Sequence, residues 1–330
     1  MLNRIMGLNP WIEVAIRTAY WRSPSLHTML SAMRRRPTIA APAGRGAPDT
    51  LVRMIDALRA FGIARGDILI LHSDLDLLVR LGLRPAEVNA ALLDLLGAEG
   101  TLVMPAYPLF AQEPKGRDRL TVDVPAQVLR YDPRRTPIWT GLLPHALMRT
   151  SGARRSALPI NSLVALGRHA EAMFATELDG DRPLPCGRQS AWFYCYEQGA
   201  KIVGLGLDLP HSLTMNHVAE DAYPDLWPVR GWYRDRRFEI VMPDGAILEK
   251  SIGEREPRWA MNYAERTLAA DLRRAGILQE KDVAGIHLEF LHARAHISFL
   301  NARKHAHYPY FIFPFQKSPP RGKSRRQKGQ

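Results

Sequence analysis

The chain has 330 residues and is 46% apolar, enough to bury one large core or two modest ones, which excludes a disordered or fibrous class. No apolar run approaches the roughly 20 residues of a membrane helix, and no short apolar segment with a small-residue cleavage site opens the chain, so the expected location is the cytoplasm. The net charge of +12 is confined to the ends: residues 1–45 contribute +6 and residues 317–330 another +6, leaving the body neutral, so a specific nucleic-acid partner is not expected.

Asn9-Pro10-Trp11 offers an N-cap followed by proline at the first helical position, and Trp11, Val14, Ala15, Ala19 and Tyr20 recur at helical spacing. An amphipathic helix is expected here, docked on the body or on a second subunit in preference to a membrane surface, with a Pro/Ala/Gly linker at 37–48. From Asp49 a helix (Leu51 to Phe61), a buried strand (67–71), a helix opened by Pro85 and a second strand (101–104) set an α/β rhythm. After a Pro-rich, charged loop at 106–140, helices are expected at 141–149, 168–175 and 189–199, then the strand 201–206 and a helix carrying His217. Strand-like runs near 237–250, 285–291, 296–299 and 309–313 surround a helix at 262–275. The pattern fits an α/β fold with a mixed central sheet covered by helices. The organisation expected is residues 1–47 as helix and linker, 48–316 as one catalytic domain, and 317–330 as a basic disordered tail.

His217 and Glu220 stand three residues apart, so the pair can face one cavity. An imidazole near neutral pKa takes a proton from an amine or hydroxyl, and a carboxylate orients it and stabilises its charged form. A lone His-x-x-Glu is more often a solvated helix face or a satisfied structural pair than an active site. Gly204-Leu-Gly206 lacks the third glycine and the acidic residue of a dinucleotide site. Cys186 and Cys195 lie in no nucleophile motif and lack metal-ligand spacing, so both read as core thiols. His287, His292 and His296 alternate with apolar residues and read as strand-edge or packing groups. His72-Ser73-Asp74 ends a strand, where open α/β sheets place ligands, although a turn in which Ser73 and Asp74 serve local amides fits equally well.

Several motifs then follow in a fixed order: Gly66-Asp-Ile-Leu-Ile-Leu-His-Ser-Asp-Leu75, Gly97-Ala-Glu-Gly-Thr-Leu-Val-Met-Pro105, Tyr131-Asp-Pro through Thr136-Pro, Gly141-Leu-Leu-Pro144, Gly152-Ala-Arg-Arg-Ser-Ala-Leu-Pro-Ile-Asn-Ser162 with Gly167, and the 201–220 segment. In this order they resemble the aminoglycoside 3-N-acetyltransferases over about residues 48–300. The resemblance implies a three-layer α/β/α sandwich that uses acetyl-CoA as co-substrate to acetylate an amino group of an amino sugar or aminocyclitol. It implies catalytic roles for His217, as general base, and Glu220, and a cofactor site formed by His72, Ser73, Arg155 and Ser156. The family's partner carboxylate for the histidine lies either at Glu220 or in the region of Glu254, Glu256 and Glu265. The chain departs from the family pattern with Asp74 for a serine, His145 for a glutamate, Leu158 for a histidine and Ala191 for a proline.

Direct attack of a free amine on a thioester needs a base tuned near pH 7 and no metal. The partners expected are therefore a small-molecule amine acceptor and coenzyme A. Weak, salt-sensitive contact of the basic termini with membrane surfaces or polyanions and a homo-oligomer seated on the first helix complete the expectation. Two other readings stay open: an acyltransferase for an amino sugar of a surface polysaccharide or secondary metabolite, and a binding or scaffold protein that has kept the fold without the reaction.

Overall fold

A computed structural model of the protein describes residues 6–7, 9–23, 25, 47–74, 77–114, 118, 127–223, 229, 231–303 and 310. The tail at 317–330, Leu75, the 37–46 part of the linker and the run at 309–313 apart from Tyr310 lie outside them.

The strands are β1 (Ile68–Ser73), β2 (Thr101–Pro105), β3 (Val128–Tyr131), β4 (Arg154–Arg155), β5 (Leu163–Gly167), β6 (Lys201–Leu205), β7 (Tyr233–Val241), β8 (Ile247–Arg255), β9 (Gln279–Val283) and β10 (Ile286–His292). Seven of them form one sheet in the order β4-β5-β2-β1-β6-β10-β9. Its centre is parallel, with Ile70 opposite Val103 on one side and Ile202 on the other, and its flanks are antiparallel. The sheet is mixed, as the sequence pattern indicated. The side-chain period of two sends Ile68 and Ile70 into one core and Leu69 and Leu71 into the other. Helices Ala191–Glu197, Glu265–Arg274 and Ala293–Arg303 cover the first face, and Ala47–Ala60, Pro85–Leu96 and Leu142–Met148 cover the second. Three α/β/α layers result.

Against this body lies a smaller sheet, β3-β7-β8, closed by a cluster that includes Phe110, Tyr131, Leu158 and Phe238. Its β3 falls within the segment read from sequence as a loop at 106–140. The expected strand at 296–299 is a helical turn: Ala293, His296 and Ile297 are buried at spacings of three and four along the Ala293–Arg303 helix. His296 is packed there, its Nε2 2.6 Å from Asn216 Oδ1.

The first helix, Pro10–Arg22, is capped by Asn9, whose side chain accepts from the Trp11 N–H at 2.8 Å. It packs on the body against the 257–262 turn and the Glu265–Arg274 helix. The buried face differs from the apolar stripe expected: Trp11 is 56% exposed, while Glu13 and Val14 are buried. Glu13 accepts from the backbone N–H groups of Arg266 (2.9 Å) and Thr267 (3.1 Å), satisfying donors at the start of the second helix that have no intrahelical partner. Arg17, one turn on, reaches Glu265 at 2.5 Å.

Gly204 and Gly206 owe their place to packing. A Cβ at Gly204 would meet the Leu209 side chain at 2.9 Å, and one at Gly206, where φ is +69°, would meet Leu77 at 2.8 Å. The two glycines let the end of β6 pass under its neighbours.

Candidate active site

After β6 the chain turns through Leu209–Ser212, a tight 3₁₀ turn at Thr214–His217 and a single α-turn at Val218–Asp221. The helix expected around His217 is thus two short pieces joined at His217 itself. The joint keeps the histidine and Glu220 on one side: His217 Nδ1 is 3.0 Å from Glu220 Oε2, with the imidazole 20% exposed and the carboxylate 4% exposed. A carboxylate at this distance accepts a hydrogen bond from Nδ1–H, which leaves Nε2 as the basic nitrogen. Arg255 NH1 stands 3.5 Å from the same Nδ1, a longer approach that acts by charge. Burial and then the Arg255 charge lower the imidazole's pKa from its ordinary 6.5, against the opposing pull of Glu220. The ring is therefore neutral at pH 7.

Of the three alternative carboxylates, Glu254 and Glu265 are engaged elsewhere. Glu254 receives Arg234 at 2.6 Å and Arg236 at 3.1 Å, and Glu265 receives Arg17 and His211. The adjacent Asp221 accepts from the Tyr233 hydroxyl at 2.8 Å and from the Cys186 N–H at 3.0 Å. Burial, followed by the charge of Glu220, pushes it up to about 7.

Two cavities meet at His217 and Arg255. One, of about 350 Å³, is lined by Glu113, Asn161, Asp221, Arg234, Arg236 and Glu254 among others. The other, of about 550 Å³, is lined by His72, Ser73, Asp74, His211, Thr214 and Tyr263 among others. Trp21, Tyr107 and Trp139 border both. Trp139 is 53% exposed and packs edge-on to Tyr107 with ring centroids 5.6 Å apart. Tyr107 in turn shares a hydrogen bond with Thr214.

His72 and Ser73 close β1, so His72 is a strand residue. It is buried, its ring centroid is 6.2 Å from that of Trp192, and its Nε2 has no hydrogen-bond partner among the described residues. Burial lowers its pKa to about 4. The residue lines the larger cavity, while its unmet Nε2 is itself enclosed. Asp74, which would repel a phosphorylated ligand, is matched by Arg80 at 3.1 Å. The other departures from the family pattern have local explanations: Leu158 is core, Ala191 is buried behind the cap Ser190, and His145 is exposed.

Arg155 and Ser156 are not brought to either cavity. The Arg155 guanidinium is spent on three carbonyls, Thr136 at 2.6 Å, Ala106 at 3.0 Å and Pro133 at 3.3 Å, and lies over the Tyr131 ring. Ser156 is buried and donates to Glu177 at 2.7 Å, while Glu177 also accepts from the Leu158 N–H at 3.1 Å. Both residues tie the 154–162 segment to its neighbours, with Arg155 Nε left without a partner among the described residues.

The cysteines are likewise enclosed. Burial raises both thiols well above their ordinary range, which disfavours the thiolate. Away from the cleft, Glu280, His287 and Glu289 bring possible ligand atoms within 4.8 Å of one another, but Arg273 bridges the two glutamates and Glu289 also accepts from the Leu209 N–H. Among the described residues no helix is long and apolar enough to cross a membrane.

The residues missed in sequence are Arg255, Asp221, Tyr107, Trp139 and Trp21. They come from five separate segments and carry no shared spacing, so only the folded chain assembles them.

A family model described as aminoglycoside 3-N-acetyltransferase matches residues 70–303. The chain is 30% identical over 281 residues to aminoglycoside N(3)-acetyltransferase VIII of Streptomyces fradiae, covering 76% of this chain and 94% of that one. Among solved structures it is similar to AAC-IIIb in binary complex with CoASH, at 26% identity and a TM-score of 0.62, over 77% of this chain and 95% of that one. A likeness of fold alone extends to sisomicin-bound AAC-VIa, at 19% identity and a TM-score of 0.59, over 77% of this chain and 98% of that one. On this match of sequence and sheet architecture, the chain belongs to the aminoglycoside 3-N-acetyltransferase family, a family of acyltransferases.

Proposed function

We propose that the protein transfers the acetyl group of acetyl-CoA directly to an amino group of an amino sugar or aminocyclitol, with His217 as general base. The observation that carries this reading is the His217–Glu220 pair, 3.0 Å apart, at the junction of two cavities. Two substrates can meet there on either side of one basic nitrogen. Such positioning alone can account for roughly 7–11 kcal/mol of barrier reduction. The 550 Å³ cavity suits the coenzyme: His72 and Ser73 line it within a largely apolar wall. Coenzyme A supplies an activated thioester and a thiol leaving group. His217 Nε2 takes the proton of the attacking amine and returns it to the sulfur as the C–S bond breaks, and Glu220 steadies the transient imidazolium through Nδ1. This assignment moves Arg155 and Ser156 from coenzyme binding to loop support and keeps His72 and Ser73 as coenzyme contacts. It sets the reaction in the cytoplasm, where acetyl-CoA is made.

Release of coenzyme A thiol from acetyl-CoA, measured over a panel of amines, tests the reading. Amine-dependent thiol release supports it, and its absence with every amine, alongside retained coenzyme A binding, defeats it. Since neither thiol can reach the thiolate state cheaply, Cys186→Ala and Cys195→Ala are expected to keep the chemical rate within about threefold, with intersecting double-reciprocal plots. An acetyl-cysteine adduct trapped by mass spectrometry would promote one thiol to nucleophile.

A further inference from the structure

On the first helix Glu13, Arg17 and Trp21 recur at a spacing of four, so they share one face. Glu13, fully buried, takes the Thr267 hydroxyl at 3.3 Å besides the two amides already described. Its neighbour Val14 packs on Ala264. Arg17 joins Glu13 at 3.3 Å to Glu265 at 2.5 Å. Trp21 stands two turns beyond the seat, about 12 Å along the axis at 1.5 Å per residue, and it lines both cavities. The helix also packs on the 257–262 turn, whose Pro257 and Met261 line the smaller cavity and whose Ala260 borders both. One end of the helix is therefore anchored by charge, and the other end is part of the cleft wall.

That piece of wall comes from outside the 70–303 span that the family model matches. It stands where His217 stands, at the junction of the two cavities. An amino sugar offers an apolar ring face and ammonium groups, and an indole accommodates both: the ring by contact, the ammonium by attraction to the face of the aromatic system. We propose that Trp21 is an acceptor-binding residue, an indole surface on which an amino sugar rests with its amine beside His217, and that Glu13 is a positioning residue that holds it there. This rests on the reading of the cleft as an acetyl-transfer site and adds to that site a residue from beyond the family-matched span. Coenzyme A is long enough to reach past the junction, so a change at Trp21 is expected to weigh on the acceptor.

The test is calorimetric titration of sisomicin into the full-length protein saturated with coenzyme A, paired with steady-state kinetics on sisomicin and acetyl-CoA. Trp21 is half-buried, so Trp21→Ala is expected to fold. It should weaken sisomicin binding at least tenfold, and the rise in KM for sisomicin should exceed any change in kcat or in KM for acetyl-CoA by threefold or more. Trp21→Phe, which keeps an aromatic face, should recover at least threefold of the lost affinity. Glu13→Ala should weaken sisomicin binding by threefold or more in the wild-type background and have no further effect on top of Trp21→Ala, because it acts through the same indole. Sisomicin affinity within threefold of wild type in Trp21→Ala, equal losses for sisomicin and acetyl-CoA, additive effects of the two alanine changes, or no measurable sisomicin binding by the wild type at millimolar concentration would each overturn the proposal. Affinity is read separately from thiol release: a wild type that binds sisomicin through Trp21 and transfers nothing defeats the assigned chemistry and leaves this wall standing.

Discussion

Replacing His217 by asparagine is expected to lower the acetyl-transfer rate by roughly 10²- to 10⁴-fold while leaving coenzyme A binding nearly intact. Asparagine can still meet Glu220 but cannot accept and hold a proton, so the loss should fall on kcat. The pH profile adds a sharper mark. The working form is the neutral imidazole, so kcat/KM should fall as pH drops through the histidine's pKa. Burial and Arg255 hold that pKa below 6.5, which places the acid limb below pH 6.5. A separate rise at higher pH belongs to deprotonation of the acceptor amine. The asparagine variant should lose the lower limb and keep the upper one. Near-normal turnover in that variant would remove His217 from the mechanism.

Replacing Trp192 by alanine is expected to destabilise the protein by about 3–5 kcal/mol, the usual range for emptying a fully enclosed aromatic site. Trp192 is 1% exposed, and its indole N–H donates to the Asn161 carbonyl at 2.7 Å. Asn161 has φ +53°, a left-handed conformation that a non-glycine residue keeps only when its surroundings hold it there. It lines the smaller cavity, and the His72 ring centroid lies 6.2 Å from that of the indole. Urea unfolding should show the loss as a shift of midpoint. Trp192→Phe, which fills much of the space but donates no hydrogen bond, should lose less stability and still weaken binding in the smaller cavity. A shift under 1 kcal/mol for the alanine variant would show that the surrounding layers close over the space.

The parts of the fold legible in the sequence were those whose burial leaves a simple signature. Strands β1, β2 and β6 are covered on both faces and read as unbroken apolar runs, and Pro10 and Pro85 marked true helix starts. Strand β9, Gln279-Glu-Lys-Asp-Val283, is an exposed edge with no apolar alternation to find. The turn at 296–299 misled because His-Ile-Ser-Phe alternates like a strand, while its helix follows β10 with no glycine or proline between. At the site, a pair three residues apart is visible in one dimension, and His217 with Glu220 was found that way. Arg255 reaches the same imidazole only because the β7–β8 hairpin folds back across the chain. The roles carried to Arg155 and Ser156 by family likeness could not show that Arg155 spends two of its nitrogens on backbone carbonyls and Ser156 its hydroxyl on Glu177, since those partners come from distant segments.

The Glu13 contact has a bearing on how this protein is made. Residues 9–23 leave the ribosome well before their seat does, since the amides that Glu13 receives belong to Arg266 and Thr267, some 250 positions later. The first helix must therefore wait for those residues before its seat exists, and its docking is a long-range closure. A shortened gene that encodes only the 70–303 span would produce a chain whose Glu265–Arg274 helix starts with bare amides and whose cleft lacks Trp21 and Arg17. Such a chain would present the seat without its occupant, the reverse of the nascent chain, and would also lack the Ala47–Ala60 helix that covers one face of the sheet.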